Sequence, residues 1–298
     1  MLLISHFYNE EYLLPYWLEH HKKIFNYGVL INNFSDDNSI EIIKKLVPDW
    51  KIINGPTEYF NSTIMEEFIM EIEESFNMPK IVLNTTEFLI IQNEIKFNNY
   101  INQEKFAAFI DTAMMVDTEP KNIDIKNLLK EKNSGIWHKE LNIYKLNKKF
   151  KFDKNSRSRL LHNYPNGQYL PGRHITLIKN TTKLSPKIAH INWYNFSPWN
   201  DKYIERKLNV KNKISEHDKE KNHGHQHFKT KIEFENTYNY LKPKARQIKL
   251  YGAKNYSKKF LIYLLNFAYS ITLDNPFFWK IVKNIFPLKL VKNIFKKK

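Results

Sequence analysis

The sequence predicts an α/β fold built on a mostly parallel sheet flanked by helices. Two observations predict it. Strand-like and helix-like segments alternate from residue 1 to about residue 90, the pattern of a parallel sheet with crossover helices. The chain also has 298 residues and no cysteine, so a large apolar core must hold it rather than disulfides or thiolate metal sites.

The elements follow in order. Leu2–Phe7 is a short apolar run that suits a buried strand, and Asn9-Glu10-Glu11 closes it. A helix follows with Leu13, Tyr16, Trp17 and Ile24 on one face, and Pro15 fits one of its first positions. Gly28 ends that unit. Val29–Ile31 is a second strand, Asn32 to Ser39 a loop of turn formers, and Ser39 an N-cap for a helix carrying Ile40, Ile43 and Val47. Pro48 stops this helix and Trp50–Ile53 is the third strand. Helical spacing of Met65, Phe68, Ile69, Ile72 and Phe76 predicts a helix from about Thr63, with Thr63 and Glu66 as a capping box. After Pro79, Lys80–Leu83 is a fourth strand that delivers Asn84-Thr85-Thr86-Glu87-Phe88 at its carboxyl end, where open α/β sheets bind ligands.

Beyond this point Phe106–Ile110, Ile175–Ile178 and Ile188–Trp193 read as strands, and His162 to His174 as a loop holding two of the seven glycines. Residues 201 to 231 are polar and helical before a loop. The reading divides the chain into a domain over 1–235 and a helical basic extension over 236–298.

The net charge is +16, and the segment Trp279–Lys298 carries seven lysines and no acid. Ile281–Phe286 and Leu290–Phe295 form a near-repeat of apolar residues beside lysine. It suits an amphipathic helix on an anionic membrane surface, or packing on the domain with solvated lysines. The N-terminus lacks a basic n-region and a long apolar h-region, so no signal peptide is expected. Phe260–Leu273 falls short of the ~20 residues that span a bilayer. The expected location is the cytoplasm, peripheral to the inner face of a membrane. Charge alone points to nucleic acid and no nucleic-acid motif accompanies it, so that partner is not expected. No glycine-rich dinucleotide loop, Walker loop or nucleophile elbow is present.

Three motifs carry a resemblance. The run Tyr8-Asn9-Glu10-Glu11-Tyr12-Leu13-Leu14-Pro15-Tyr16-Trp17-Leu18-Glu19-His20-His21 resembles the opening turn and Leu-x-x-Trp-x-x-His helix of the family 2-like and family 92-like glycosyltransferases. Asn32-Asn33-Phe34-Ser35-Asp36-Asp37-Asn38-Ser39 resembles the loop after their second strand, and Val82–Leu89 their Asp-x-Asp-Glu-Phe-Leu segment. The likeness covers residues 1 to 95 well and is looser to about 230. It implies a GT-A fold and transfer of a sugar from a nucleotide-diphosphate donor to a glycan or lipid-linked acceptor, as in cell-surface polysaccharide synthesis, with inversion. Asn9, Glu10, Asn33, Ser35 and Asp37 would hold the nucleotide. Plain helix capping for Asn9 and Ser39, and an Asx turn for Asp37, are the structural alternatives.

The chain departs from the family where Asn84 and Thr86 replace two aspartates. Those carboxylates would hold Mn²⁺ or Mg²⁺ against the diphosphate. Three outcomes stay open: a metal held through Glu87 and a distant group, a Lys, Arg or His clamp in its place, or an inactive relative that still binds nucleotide or carbohydrate. An inverting transfer needs a general base, for which Asp111 and Asp117 are candidates. His162, Arg173 and His174 are candidates for acceptor or phosphate contacts. In the tract His217, His223, His225 and His227, the last two could reach the diphosphate or the ion. His190 reads as a core residue.

Overall fold

The structure is a computed structural model that describes residues 1–118, 134–138, 140, 157–221, 223 and 228–248. All of these belong to the compact unit Met1–Gly252. His225, His227, Phe260–Leu273 and the basic tail 279–298 lie outside the described residues.

The alternation expected for the first 90 residues is present. β1 (Leu2–Phe7), β2 (Tyr27–Asn32), β3 (Lys51–Asn54) and β4 (Lys80–Val82) alternate with α1 (Leu14–His21), α2 (Ser39–Leu46) and α3 (Ser62–Glu74). β1 pairs in parallel with β2 on one side and β4 on the other, and β2 pairs in parallel with β3. β9 (Arg159–His162) then runs antiparallel between β4 and β6 (Ala107–Ile110), and β10 (Thr182–Leu184) adds in parallel at the edge. The seven strands lie in the order β10-β6-β9-β4-β1-β2-β3. A second sheet has the order β12-β8-β7-β11-β5, made of β5 (Glu87–Ile91), β7 (Thr112–Val116), β8 (Ser134–Trp137), β11 (Ala189–Phe196) and β12 (Arg246–Gln247).

Side-chain alternation explains the layers. Leu3 and Phe7 of β1 join Trp17 of α1, Ile43 of α2, Phe88 of β5 and Met115 of β7 in one core. Leu2 and Ile4, pointing to the opposite face, join Met65 and Ile69 of α3. The outer face of β7, through Met114 and Val116, meets Ile204 of α5 (Asp201–Asn209) and Phe234, Tyr238 and Leu241 of α7 (Lys231–Leu241). α7 therefore runs across residue 235. The remaining described α-helices given a range are α4 (Glu94–Ile101) and the short α6 (Glu216–Glu220). No described helix is long and apolar enough to cross a membrane.

Some local expectations change. α3 is capped by Asn61, whose side chain accepts from the Thr63 and Ile64 amides, so the Thr63–Glu66 box does not form. The Ser39 hydroxyl caps no helix; it accepts from the Glu10 amide instead. Ile175–Ile178 is not a strand, for only Thr176 makes a bridge, to Tyr169. The segment follows Gly172 and Arg173, both at positive φ, and that turn carries it off the sheet. Gly28 is required by close approach, since a Cβ there would lie 2.2 Å from the Trp50 ring.

Candidate functional site

The order β3-β2-β1-β4 reverses between β1 and β4. Such a reversal opens a crevice beyond the carboxyl ends of the strands, the usual ligand position in an open α/β sheet. His6 stands at the end of β1, Asn33 just past β2 and Asn84 just past β4, so all three line this crevice.

The two loops beside the crevice hold each other. Asn9 sits at φ 49°, its amide donates to Ser35 Oγ at 3.1 Å, and its side chain exchanges bonds with Asp36 at 2.6 and 3.0 Å. Asp37 accepts from the Glu11 and Ser39 amides at 2.9 and 3.0 Å. Asn9, Ser35 and Asp37 thus fix the shape of the loops. Glu10 is taken by Arg206 of α5, which donates to it through Nε at 2.6 Å and through Nη2. Of the five residues expected to hold a nucleotide, Asn33 carries a buried side-chain oxygen, Oδ1, with no partner among the described residues. A Cβ at Gly55 would come within 2.5 Å of it.

Asn84, Glu87 and Arg173 do come together, in a closed ring of hydrogen bonds. Glu87 Oε2 accepts from the Asn84 amide at 2.8 Å, and both Glu87 oxygens accept from Arg159, at 2.8 and 2.7 Å. Arg159 Nη1 donates to the Gly172 carbonyl at 2.8 Å. The Gly172 amide donates to Glu66 Oε1 at 3.1 Å, and Arg173 Nη1 donates to Glu66 Oε2 at 2.7 Å. Arg173 Nη2 closes the ring on Asn84 Oδ1 at 3.0 Å and also reaches His6 Nε2 at 3.1 Å. A guanidinium can only donate, so His6 Nε2 is the acceptor. Arg173 itself lies at φ 56°, a strained conformation for a side-chain-bearing residue. The ring holds it there.

The donor set of this ring does not fit a divalent cation. Asn84 Oδ1 already accepts from Arg173, both Glu87 oxygens face Arg159, and the neighbouring charges are guanidinium groups. Glu87 is therefore a partner of Arg159 rather than a metal ligand. No group of three or more His, Asp or Glu suited to a metal ion occurs among the described residues.

The other expected residues scatter. His162 is fully buried below the site, bonded to Glu73 Oε1 and Tyr169 Oη at 3.1 Å each. Asp111 lies at the same sheet edge as Asn84, because β6 runs parallel to β4 across β9, but Lys183 holds its carboxylate at 2.8 Å. Asp117 follows β7 and accepts from the Trp199 amide at 2.7 Å. Thr86 is buried, with its carbonyl accepting from the Tyr194 amide. His174 lies close to the ring and bonds the Ser158 carbonyl through Nδ1 at 3.3 Å. His217 and His223 sit around α6, where His223 faces Ser62 Oγ at 3.1 Å.

Burial keeps four described histidines neutral. Desolvation is the leading cause for His20, His21, His174 and His190, with Arg159 and Arg157 adding to it at His174. The His190 pKa falls to about 4. In the unfolded chain these groups charge below about pH 6.5. The unfolded state then binds more protons, so stability falls as pH drops below about 6.5, and for His190 the loss continues to about pH 4 at up to about 1.4 kcal/mol per pH unit. Urea unfolding at pH 7, 5.5 and 4.5 measures this, and a constant midpoint would contradict it.

Sequence reading missed His6, Glu66, Arg159 and Arg206. Only His6 carried a signal, its place at the end of the first strand.

No protein-family model matches the sequence, and no curated protein matches it. Among solved structures, S. aureus TarS 1–349 overlaps with TM-score 0.35 and 13% identity over 70% of this chain and 63% of that one. TarS 1–349 in complex with UDP-GlcNAc overlaps with TM-score 0.27 and 13% identity over 39% and 34%. Another TarS structure gives TM-score 0.27 and 15% identity over 39% and 21%. The chain thus spans less than two thirds of each TarS chain. Overlap at this level is partial and fixes neither family nor ligand.

Proposed function

We propose that this protein binds the diphosphate of a nucleotide-activated sugar over the β1/β4 crevice and transfers the sugar to a hydroxyl acceptor. One observation carries the reading. A single guanidinium, Arg173, bridges His6 at the end of β1 and Asn84 just past β4, at the point where the strand order reverses. Of the three sequence motifs that resemble glycosyltransferases, the third supplies Asn84 to this bridge, and the first two form the loops beside the crevice. Asn33 Oδ1, buried and unpartnered, suits a base or ribose donor group. An oxyanion entering here would take Arg173 Nη2 from Asn84 and His6 while Nη1 stays on Glu66. The role a metal ion plays in related chemistry, offsetting charge on the leaving diphosphate, falls here to fixed cations.

A second reading is a non-catalytic binder of the same ligands. Glu10, Glu66, Glu87 and Asp111 are each paired with a cation, so none offers a free base to an acceptor. The candidate base in the first reading is Asp117, which the sequence offers after β7 and whose carboxylate accepts from the Trp199 amide. The test is binding of UDP and GDP followed by transfer or hydrolysis with a panel of their sugars. Turnover that drops at least about a hundredfold in Asp117→Asn, with nucleotide affinity kept, supports the enzyme. Nucleotide binding without turnover of any donor supports the binder. No nucleotide binding at all sinks both.

A further inference from the structure

The segment on either side of Arg173 folds back on itself as a narrow hairpin. The Leu170 amide donates to the Ile175 carbonyl at 3.1 Å and the Leu177 amide to the Gln168 carbonyl at 3.0 Å, flanking the Tyr169–Thr176 bridge. In that register Tyr169 and Thr176 face one way, and Gln168, Leu170, Ile175 and Leu177 face the other. Tyr169 points inward and packs in the same core as Ile178. Leu170, Ile175 and Leu177 are left 39%, 41% and 64% exposed. A ribbon with one solvated face alternates apolar with polar residues, whereas this one is apolar on both faces. Three of the nine large apolar side chains exposed among the described residues thus share one small face, which scattered exposure does not explain.

Charge and size indicate what covers it. From Lys154 to Asn200 the chain has no acid, and the exposed Lys179 follows Leu177 by two residues. The carboxylates behind the hairpin are buried and taken: Glu66 by Arg173, and Glu73 by His162, Tyr169 and the Gly167 amide. Glu74 meets Asn166 at the open end, away from the turn. The outer face is therefore apolar with a basic edge. It offers only a few hundred Å², against the ~800 Å² per partner of a stable protein interface, and carries no aromatic or arginine anchor. A bilayer surface needs neither a matching shape nor that area. The turn is also fixed in place, because Arg173 between the two arms is bound to Glu66, Asn84 and His6. The face is thus mounted beside the β1/β4 crevice.

We infer that the outer face of this hairpin docks on an anionic lipid surface, with Leu170, Ile175 and Leu177 entering the boundary between headgroups and acyl chains and Lys179 meeting lipid phosphates. Penetration stops at that boundary, since a two-armed ribbon cannot pair all its backbone groups internally. The docking stands whether or not the crevice transfers a sugar.

The lysine-rich segment 279–298 is a second route to the same vesicles, so the readout must be local to the hairpin. The chain has no cysteine, so Leu177→Cys takes a polarity-sensitive fluorophore at one place. Ile232→Cys, at a side chain 69% exposed on α7, is the control. The full chain is titrated with phosphatidylcholine vesicles, with and without phosphatidylglycerol. With phosphatidylglycerol, the label at 177 should shift to the blue and be quenched by brominated acyl chains, while the label at 232 stays in water. The unlabelled double variant Ile175→Asn with Leu177→Asn, at unchanged thermal midpoint, should partition onto these vesicles at least about tenfold more weakly. Vesicle binding with the label at 177 still in water, or an equal shift at both labels, overturns the inference. A label at 177 already shielded before lipid is added also overturns it, since another part of the protein then covers the face. A concentration-dependent dimer that the double variant abolishes makes the face a contact between two copies instead. Equal binding to neutral vesicles overturns the choice of an anionic surface.

Discussion

Replacing Arg159 with methionine is expected to lower the unfolding free energy by about 3–5 kcal/mol, the usual cost of leaving one partner of a buried ion pair alone. Arg159 and Glu87 are each 2% exposed. Without the guanidinium, Glu87 keeps only the Asn84 amide, and the Gly172 carbonyl loses its donor. Small domains have total stabilities of about 5–15 kcal/mol, so this loss is a large share. The double variant Arg159→Met with Glu87→Leu should recover most of it, because the stranded charge is gone. Recovery stays incomplete, since the Asn84 amide then lacks its acceptor at a cost of about 1–3 kcal/mol. Urea unfolding of the two single variants and the double variant measures the coupling. A loss under about 1 kcal/mol in Arg159→Met would mean that the pair contributes little. A double variant no better than the single would mean that packing, not charge, dominates.

The same residues show what the sequence could reveal. The first four strands and α1 were legible because apolar runs, Pro15, Gly28 and Pro79 are local signals with local consequences. The place of the site was legible too, since Asn84 follows a strand whose carboxyl end must face the crevice. Its wiring was not. Glu66 sits three residues past Thr63, as a capping box requires, yet its carboxylate serves Arg173, 107 residues away. Glu87 serves Arg159 across 72 residues and Glu10 serves Arg206 across 196. Nothing local marks which carboxylate will leave its own turn for a distant guanidinium. In a chain with 47 lysines and arginines, composition does not single out the few that matter. The apolar segment Ile175–Ile178 failed for a related reason. Its β propensity is overridden by the Gly172–Arg173 turn, which the ring around Arg173 holds in place.

Restoring a carboxylate at position 84 should weaken diphosphate binding rather than create a metal site. In Asn84→Asp, the side chain facing Arg173 Nη2 at 3.0 Å becomes charged. Arg173 then meets two carboxylates, the new one and Glu66, and its positive charge is more than cancelled. The expected effect is at least about tenfold weaker UDP binding in EDTA, the scale of one lost charge-assisted contact. Mn²⁺ should not restore it, because a cation entering beside Asn84 would have to displace Arg173 from Glu66 and His6. Thr86→Asp is a different perturbation. Thr86 is buried, so a carboxylate there lacks solvent and should cost stability, which calls for measuring the single variants before the pair. The informative contrast is therefore Asn84→Asp with and without Mn²⁺, at constant thermal midpoint. Tighter, Mn²⁺-dependent binding would mean that the crevice is a metal site lacking one ligand. Weaker binding that ignores Mn²⁺ would mean that Arg173 occupies the position from which an ion would act.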